Sequence, residues 1–279
     1  MSLNLDARQR AMLAEIGVRV WQRADAPAPA TPLVTTTAVV PVSVTPISIA
    51  ASAISARAEQ PKGLQQTPVQ PDSPPFAATH ERAAIAAMPW PELQQAVATC
   101  QACALCKSRT NTVFGVGHPQ ADWLVVGEAP GENEDLQGEP FVGAAGQLLD
   151  NMLKAIGMTR SAENKRSGVY ITNTLKCRPP GNRNPEAGEL AQCAPFLQRQ
   201  VELVQPKIIL AMGRFAVQSL LGSTEPLGKL RGRVHAYPVG DSSVPLVVTY
   251  HPAYLLRNLP DKAKAWADLC LAQSVLKTR

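Results

Sequence analysis

Trp123-Leu124-Val125-Val126-Gly127-Glu128-Ala129-Pro130-Gly131-Glu132-Asn133-Glu134-Asp135 is the stretch on which the reading of this chain turns. Four apolar residues end at a glycine and give way to a loop broken by glycine and proline and carrying four carboxylates. A short apolar run closed by turn residues reads as a strand buried on both faces, since such a strand has no polar side with which to alternate. Three further runs have the same character: Val169 to Thr172, Ile208 to Met212 and Leu246 to Thr249. Gln147 to Ile156, Glu186 to Val204, Phe215 to Leu221 and Lys262 to Leu276 read as helices, the first with Leu148, Leu149, Met152, Leu153 and Ile156 on one face. Strands alternating with helices predict a parallel sheet covered on both sides, an α/β fold.

In an open α/β sheet the site lies beyond the carboxyl ends of the strands. After the first strand comes the Gly127–Asp135 loop, after the second Asn173, and after the fourth His251-Pro252-Ala253-Tyr254-Leu255-Leu256-Arg257. Each has an ordinary structural explanation: an asparagine caps the next element, a His-Pro pair turns the chain, an acidic loop is solvated. Their convergence on one end of one sheet is what speaks for a site. The loop does not suit a nucleotide phosphate, because carboxylates stand where a phosphate needs open backbone amides and no Lys-Ser or Lys-Thr follows.

Cys100 and Cys103 form a C-x2-C pair, Cys177 follows the second strand and Cys193 lies in the next helix. Four thiols distant in sequence but bridgeable in a compact fold suit tetrahedral zinc or a cubane cluster, and spacing does not separate the two. Cys106 is a candidate substitute ligand, and Cys270 falls on an apolar helical face.

The chain has 279 residues, 45% of them apolar and 18% charged, with a net charge of +5 and 25 prolines. That mixture excludes a collagen, a coiled coil and a fully disordered chain. No run approaches the ~18 apolar residues of a membrane span. Asp6, Arg8, Arg10, Glu15 and Arg19 stand where a signal peptide would be apolar, so a cytoplasmic protein with reduced cysteines and no membrane association is expected. Ten of the prolines fall between residues 24 and 79, which predicts a disordered linker over 24–80 between a short helix at 1–23 and a domain over 81–279. In the helix, Met12, Leu13, Ile16, Val20 and Trp21 share one side, as in a docking peptide for another protein or a helix that folds back on its own domain.

C-x2-C-x2-C from Cys100 to Cys106, FGVGHPQADWLVVGEAPGENED from Phe114, GEPFVGAAGQLLDNML from Gly138, VYITNTLKCRPPGNRNP from Val169 and HPAYLLRN from His251 together resemble the family 4 uracil-DNA glycosylases over residues 97–277. The resemblance implies a three-layer α/β/α sandwich around a four-stranded parallel sheet. It implies a [4Fe-4S] cluster on Cys100, Cys103, Cys177 and Cys193, and hydrolysis of the bond joining uracil to deoxyribose, leaving an abasic site in single- or double-stranded DNA. It places Glu128 and Ala129 in the first motif beside the base, Glu134 as the carboxylate that positions water, Phe141 under the flipped base, Asn173 on the base's edge and His251 beside the departing uracil anion. Ala129 stands where the best-known uracil-DNA glycosylases carry an aspartate. A monomer is expected. Residues 5–22 are similar to the N-terminal peptide of the psi subunit of bacterial DNA polymerase III, which points to a replication or repair protein as their partner.

Two further expectations concern DNA. Leu255 or Leu256, flanked by Arg257, forms an apolar tip suited to wedge a base step. Lys176, Arg178 and Arg183, and Lys229, Arg231 and Arg233, are candidate phosphate contacts. Two alternatives remain at this point: the same scaffold with another or broader damaged-base preference, and a binding module whose N-terminal peptide is the functional element.

Overall fold

The computed structural model describes residues 84–161 and 166–278. The segments placed at 1–23 and 24–80 lie outside the described residues. Six strands, β1 (Val116–Gly117), β2 (Trp123–Gly127), β3 (Val169–Asn173), β4 (Ile208–Met212), β5 (Val234–Val239) and β6 (Ser242–Thr249), form one sheet in the order β1-β3-β2-β4-β6-β5. Helices among the described residues include α1 (Trp90–Ala98), α2 (Glu132–Gln137), α3 (Ala144–Ala155), α4 (Ala187–Val204), α5 (Arg214–Leu221), α6 (Leu227–Leu230), α7 (Pro252–Arg257) and α8 (Lys262–Lys277).

The inner four strands are parallel, and β1 and β5 are antiparallel edges. The expected four-stranded parallel sheet is thus the interior of a six-stranded mixed one. The edges escaped the sequence reading for physical reasons. β1 is two residues long, and β5 alternates exposed and half-buried residues around Pro238, which an edge strand tolerates because it needs no donor on its outer side.

Every residue of β2, β3 and β4 is buried. Successive side chains go to opposite faces. Trp123, Val125, Ile171, Leu210 and Val247 meet α3 and α8 through Leu149, Met152, Leu153, Trp266 and Leu269. Leu124, Val126, Ile209, Ala211 and Val248 meet α4 and α5 through Leu197, Val201, Val217 and Leu220. These two apolar layers make the three-layer sandwich. A smaller cluster of Leu93, Val97, Phe114 and Phe196 lays α1 on α4, which carries the loop after α1, with its C-x2-C pair, toward Cys193.

From β2 the chain runs outward to β3, then crosses to β4 on the other side of β2. Loops leaving the strand ends on either side of such a switch point diverge and open a crevice there. Gly127, Asn173, Met212 and Thr249 end their strands at that crevice.

Candidate active site

A cleft of about 920 Å³ occupies this end of the sheet and is bordered by Glu128, Ala129, Glu134, Phe141, Asn173 and His251 among others. All six residues expected at the base therefore come together. Gly127 explains how they fit. A Cβ there would lie 2.4 Å from Asn173 Oδ1 and 2.6 Å from the Phe141 ring, so only a residue without a side chain lets the asparagine and the phenylalanine converge over the end of β2.

Asn173 is 2% exposed, and its Oδ1 is buried without a hydrogen-bond partner. A buried acceptor left open costs roughly 1–3 kcal/mol, so it marks a place where a ligand donor is expected. Phe141 is buried, lies nearly parallel to the His251 ring at 5.3 Å between centroids, and has φ +56°. That conformation is strained for an aromatic residue and is held by its neighbours: a Cβ at Gly146 would lie 1.7 Å from the Phe141 carbonyl oxygen.

His251 is the N-cap of α7, and its Nδ1 accepts from the Ala253 amide at 3.2 Å. The proton of the neutral ring must then sit on Nε2. Burial pushes its pKa down to about 4; the Glu134 carboxylate opposes the shift and Arg257 adds to it. The imidazole is therefore neutral near pH 7 and can donate without first losing a proton. Glu134 faces it from α2 with both oxygens engaged: Oε1 accepts from the amides of Val142 (3.0 Å) and Gly143 (3.2 Å), and Oε2 from Gly131 (3.1 Å). It staples the loop after β2 to the segment carrying Phe141. A carboxylate offers about four acceptor positions, which leaves one on Oε2 for a water. Glu128 is pushed up by burial, an effect that Arg214 offsets.

Arg214 and Tyr250 are cleft residues that the sequence reading missed. The signal was there, since Gly213-Arg214 directly follows the third apolar run, the one strand end to which nothing was assigned. The DNA-facing expectations divide. Leu256 is 42% exposed and Arg257 borders the cleft, but Leu255 is 1% exposed and packs in the core. The segment is a helical turn, so adjacent residues cannot share a face, and Leu255 is excluded as the wedge. Arg231 is also corrected: its Nε and one terminal nitrogen donate to the fully buried Asp268 at 2.9 and 2.7 Å, another bond goes to the Lys264 carbonyl, and its head lies over the Tyr250 ring. A guanidinium so committed is part of the core's polar lining, not a phosphate contact. Lys176 is fully buried rather than at the surface. Arg178 pairs with Asn182 and Glu132, and Arg183 with Glu189 at the cleft's rim.

Behind the cleft, Cys100, Cys103, Cys177 and Cys193 line a chamber with Cys106, Arg109 and Lys176. Among the described residues no three His, Cys, Asp or Glu side chains are placed to hold a single ion. Arg109 donates to Cys177 Sγ at 3.1 Å and the Lys176 amide to Cys193 Sγ at 3.3 Å. Burial pushes the Cys103 and Cys177 thiols up, and Cys193 to about 12, so these three become thiolates only against a centre that draws the charge. Burial brings Lys176 down to about 8, opposed by the neighbouring cysteines. Four thiols with two cationic side chains and N–H donors on sulfur form a donor set that fits an anionic iron-sulfur cluster.

The uracil DNA glycosylase superfamily matches residues 114–270, more than half of the chain. The chain belongs to the uracil DNA glycosylase superfamily. Within it, the chain is 43% identical over 172 residues to a type-4 uracil-DNA glycosylase of Sulfurisphaera tokodaii, covering 60% of this chain and 76% of that protein. It is 42% identical over 169 residues to one from Archaeoglobus fulgidus, covering 59% and 82%. A third, from Thermotoga maritima, is 39% identical over 188 residues, covering 66% and 93%. The superfamily match begins at Phe114 and ends at Cys270, so it contains β1 to β6 and the whole rim of the cleft.

Proposed function

We propose that this superfamily member is a monofunctional DNA repair enzyme that excises uracil from DNA, hydrolysing the N-glycosidic bond and leaving an abasic site. The observation that carries the reading is the open acceptor of Asn173, buried beside the Phe141 ring and opposite the neutral His251. An asparagine amide matches the N3–H and O4 edge of uracil, whereas the cytosine edge offers no ring N–H to Oδ1 and leaves the acceptor unpaired.

The target nucleotide leaves the stack at a cost of a few kcal/mol, and Phe141 restores a stacking surface to it. As the bond from C1′ to N1 breaks, its electron pair stays with the base and spreads over the uracil oxygens, while positive charge gathers on the sugar. The Nε2–H of His251 donates to that anion, a role for a preorganised donor whose loss costs about 10²–10³ in rate. Water adds its oxygen to C1′ and loses a proton to solvent, and the uracil anion takes one up as it leaves, so that neutral uracil and a sugar hydroxyl are the products. Glu134, held by three backbone amides, keeps its geometry and one acceptor position for that water. Its contribution is placement and charge, which lets the chain work with Ala129 where an aspartate would otherwise stand.

The cysteine chamber is assigned to a [4Fe-4S] cluster held by Cys100, Cys103, Cys177 and Cys193, which line it from the loop after α1, the segment after β3 and α4. When bound, the cluster supplies a rigid cross-link between the loop after α1, the segment after β3 and α4. Excision by water moves no electron, so the chemistry on DNA stays with the side chains. A cytoplasmic location suits the reduced cysteines, and residues 5–22 are assigned the docking of a replication or repair protein.

Release of uracil from a single-stranded oligonucleotide by wild type and Asn173→Ala, with the visible spectrum read on the same samples, tests the reading. The expected result is coloured protein that releases uracil and a variant slowed at least 10²-fold. Excision of a different base by the wild type, with uracil left intact, refutes it.

A further inference from the structure

Lys176 has a role that neither the cleft nor the chamber explains. Its ε-ammonium is fully enclosed and donates to Thr172 Oγ1 at 2.6 Å, the Asn173 carbonyl at 2.7 Å and Gln200 Oε1 at 2.6 Å. Its three protons are thereby spent. The acceptors belong to a closed network: Gln200 Nε2 donates to the Phe114 carbonyl at 2.9 Å and to the Tyr170 hydroxyl at 3.2 Å, and Thr172 Oγ1 to the Phe114 carbonyl at 2.8 Å.

The sheet shows why the strand end needs this. On one side β3 pairs with β2 along its length, through Gly127 opposite Asn173. On the other, β1 covers only Tyr170 and Ile171. Beyond Ile171 no strand among the described residues receives the outer backbone groups, and a buried carbonyl must find a donor elsewhere. For Asn173 that donor is Lys176.

We propose that Lys176 is the positioning residue for base recognition, its ammonium fixing the end of β3 so that the Asn173 amide is held at the geometry that reads uracil. The inference rests on Asn173 as the base reader. Asn173 has no slack, because its Oδ1 and the Phe141 ring share the space above Gly127. Without the ammonium, the Asn173 carbonyl loses its donor, Gln200 Oε1 keeps only the longer 3.3 Å contact with Thr172 Oγ1, and the strand end tilts. A displacement of about 1 Å at a reacting group costs about 10²-fold. Lys176 does not reach the DNA backbone, so the loss falls on the chemical step and on affinity for the base, not on affinity for the strand.

Full-length wild type, Asn173→Ala, Lys176→Met and Thr172→Val are compared by single-turnover excision from a single-stranded oligonucleotide, KM for that strand, inhibition by free uracil, thermal melting and visible absorption. Lys176→Met should melt cooperatively and keep its absorption and KM, with kcat down about 10²-fold and free-uracil inhibition weakened by about tenfold or more. Wild-type kcat and uracil inhibition in a folded Lys176→Met protein overturn the proposal. If Lys176→Met fails to fold or loses its absorption, Thr172→Val decides, since it keeps the lysine and removes one of its three acceptors. A smaller fall in kcat with weaker uracil inhibition then supports the proposal, and wild-type values overturn it. Full activity of Asn173→Ala refutes the base-reader assignment and this inference with it, whereas an impaired Asn173→Ala beside an unimpaired Lys176→Met refutes this inference alone.

Discussion

Acid is the informative perturbation of His251, because its two ring nitrogens have separate duties and burial holds its pKa near 4. An unperturbed histidine titrates near 6.5. At about pH 5 an unshifted ring would be about one-thirtieth neutral, whereas His251 should be about nine-tenths neutral. Excision measured in single turnover, which isolates bond cleavage from product release, should therefore hold within about a tenth of its plateau down to about pH 5. It should fall only as the pH approaches 4. Stability has the corresponding sign. Between 6.5 and 4 the unfolded chain takes up a proton that the folded ring refuses, so acidification through that window destabilises the protein, by up to ~3 kcal/mol from this group. Urea melts of wild type and His251→Gln at neutral pH and near pH 4.5 should show that slope diminished in the variant. An inflection in the rate near pH 6.5 that vanishes in His251→Gln would refute the argument, since it would mean the imidazole titrates as a solvated histidine rather than a buried one.

Two neighbouring leucines should behave oppositely. Leu255→Ala opens a hole under α7 and should cost about 2–5 kcal/mol in chemical denaturation, while Leu256→Ala should leave stability unchanged and slow excision from duplex more than from single strands; equal effects on both substrates would remove the wedge. Arg231→Met strands the carboxylate of Asp268 and should lose about 3–5 kcal/mol at neutral pH, less in acid because protonating Asp268 relieves it. The same variant should leave the slope of DNA affinity against salt unaltered, and a shallower slope would restore Arg231 as a phosphate contact.

Much of this molecule can be read from local pattern. Buried parallel strands appear as apolar runs because both of their faces are covered, and all four were legible from Trp123, Val169, Ile208 and Leu246 onward. The candidate site was legible for a related reason: in such a sheet the residues that follow the strands share one end, so Glu128, Asn173 and His251 could be gathered without knowing a single distance. The edge strands were not legible, because β1 and β5 are defined by their partners and not by their own composition.

Neighbouring side chains of like character were separated only by the tertiary structure. Leu255 and Leu256 differ in nothing but the phase of a helical turn, which sends one into the core and leaves the other in solvent. Lys176, Arg178 and Arg231 look alike as basic residues near a cleft, but enclosure turns Lys176 into the clamp on Asn173 and Arg231 into the partner of Asp268. The sequence by itself determined the four inner strands of the sheet, the end of it at which chemistry takes place and the donor types gathered there. Hydrophobic pattern and strand chirality act over a few residues at a time. The tertiary structure decided the protonation of His251, the open acceptor on Asn173 and the duty of each cation, because desolvation and hydrogen-bond supply depend on groups that meet only once the chain has closed.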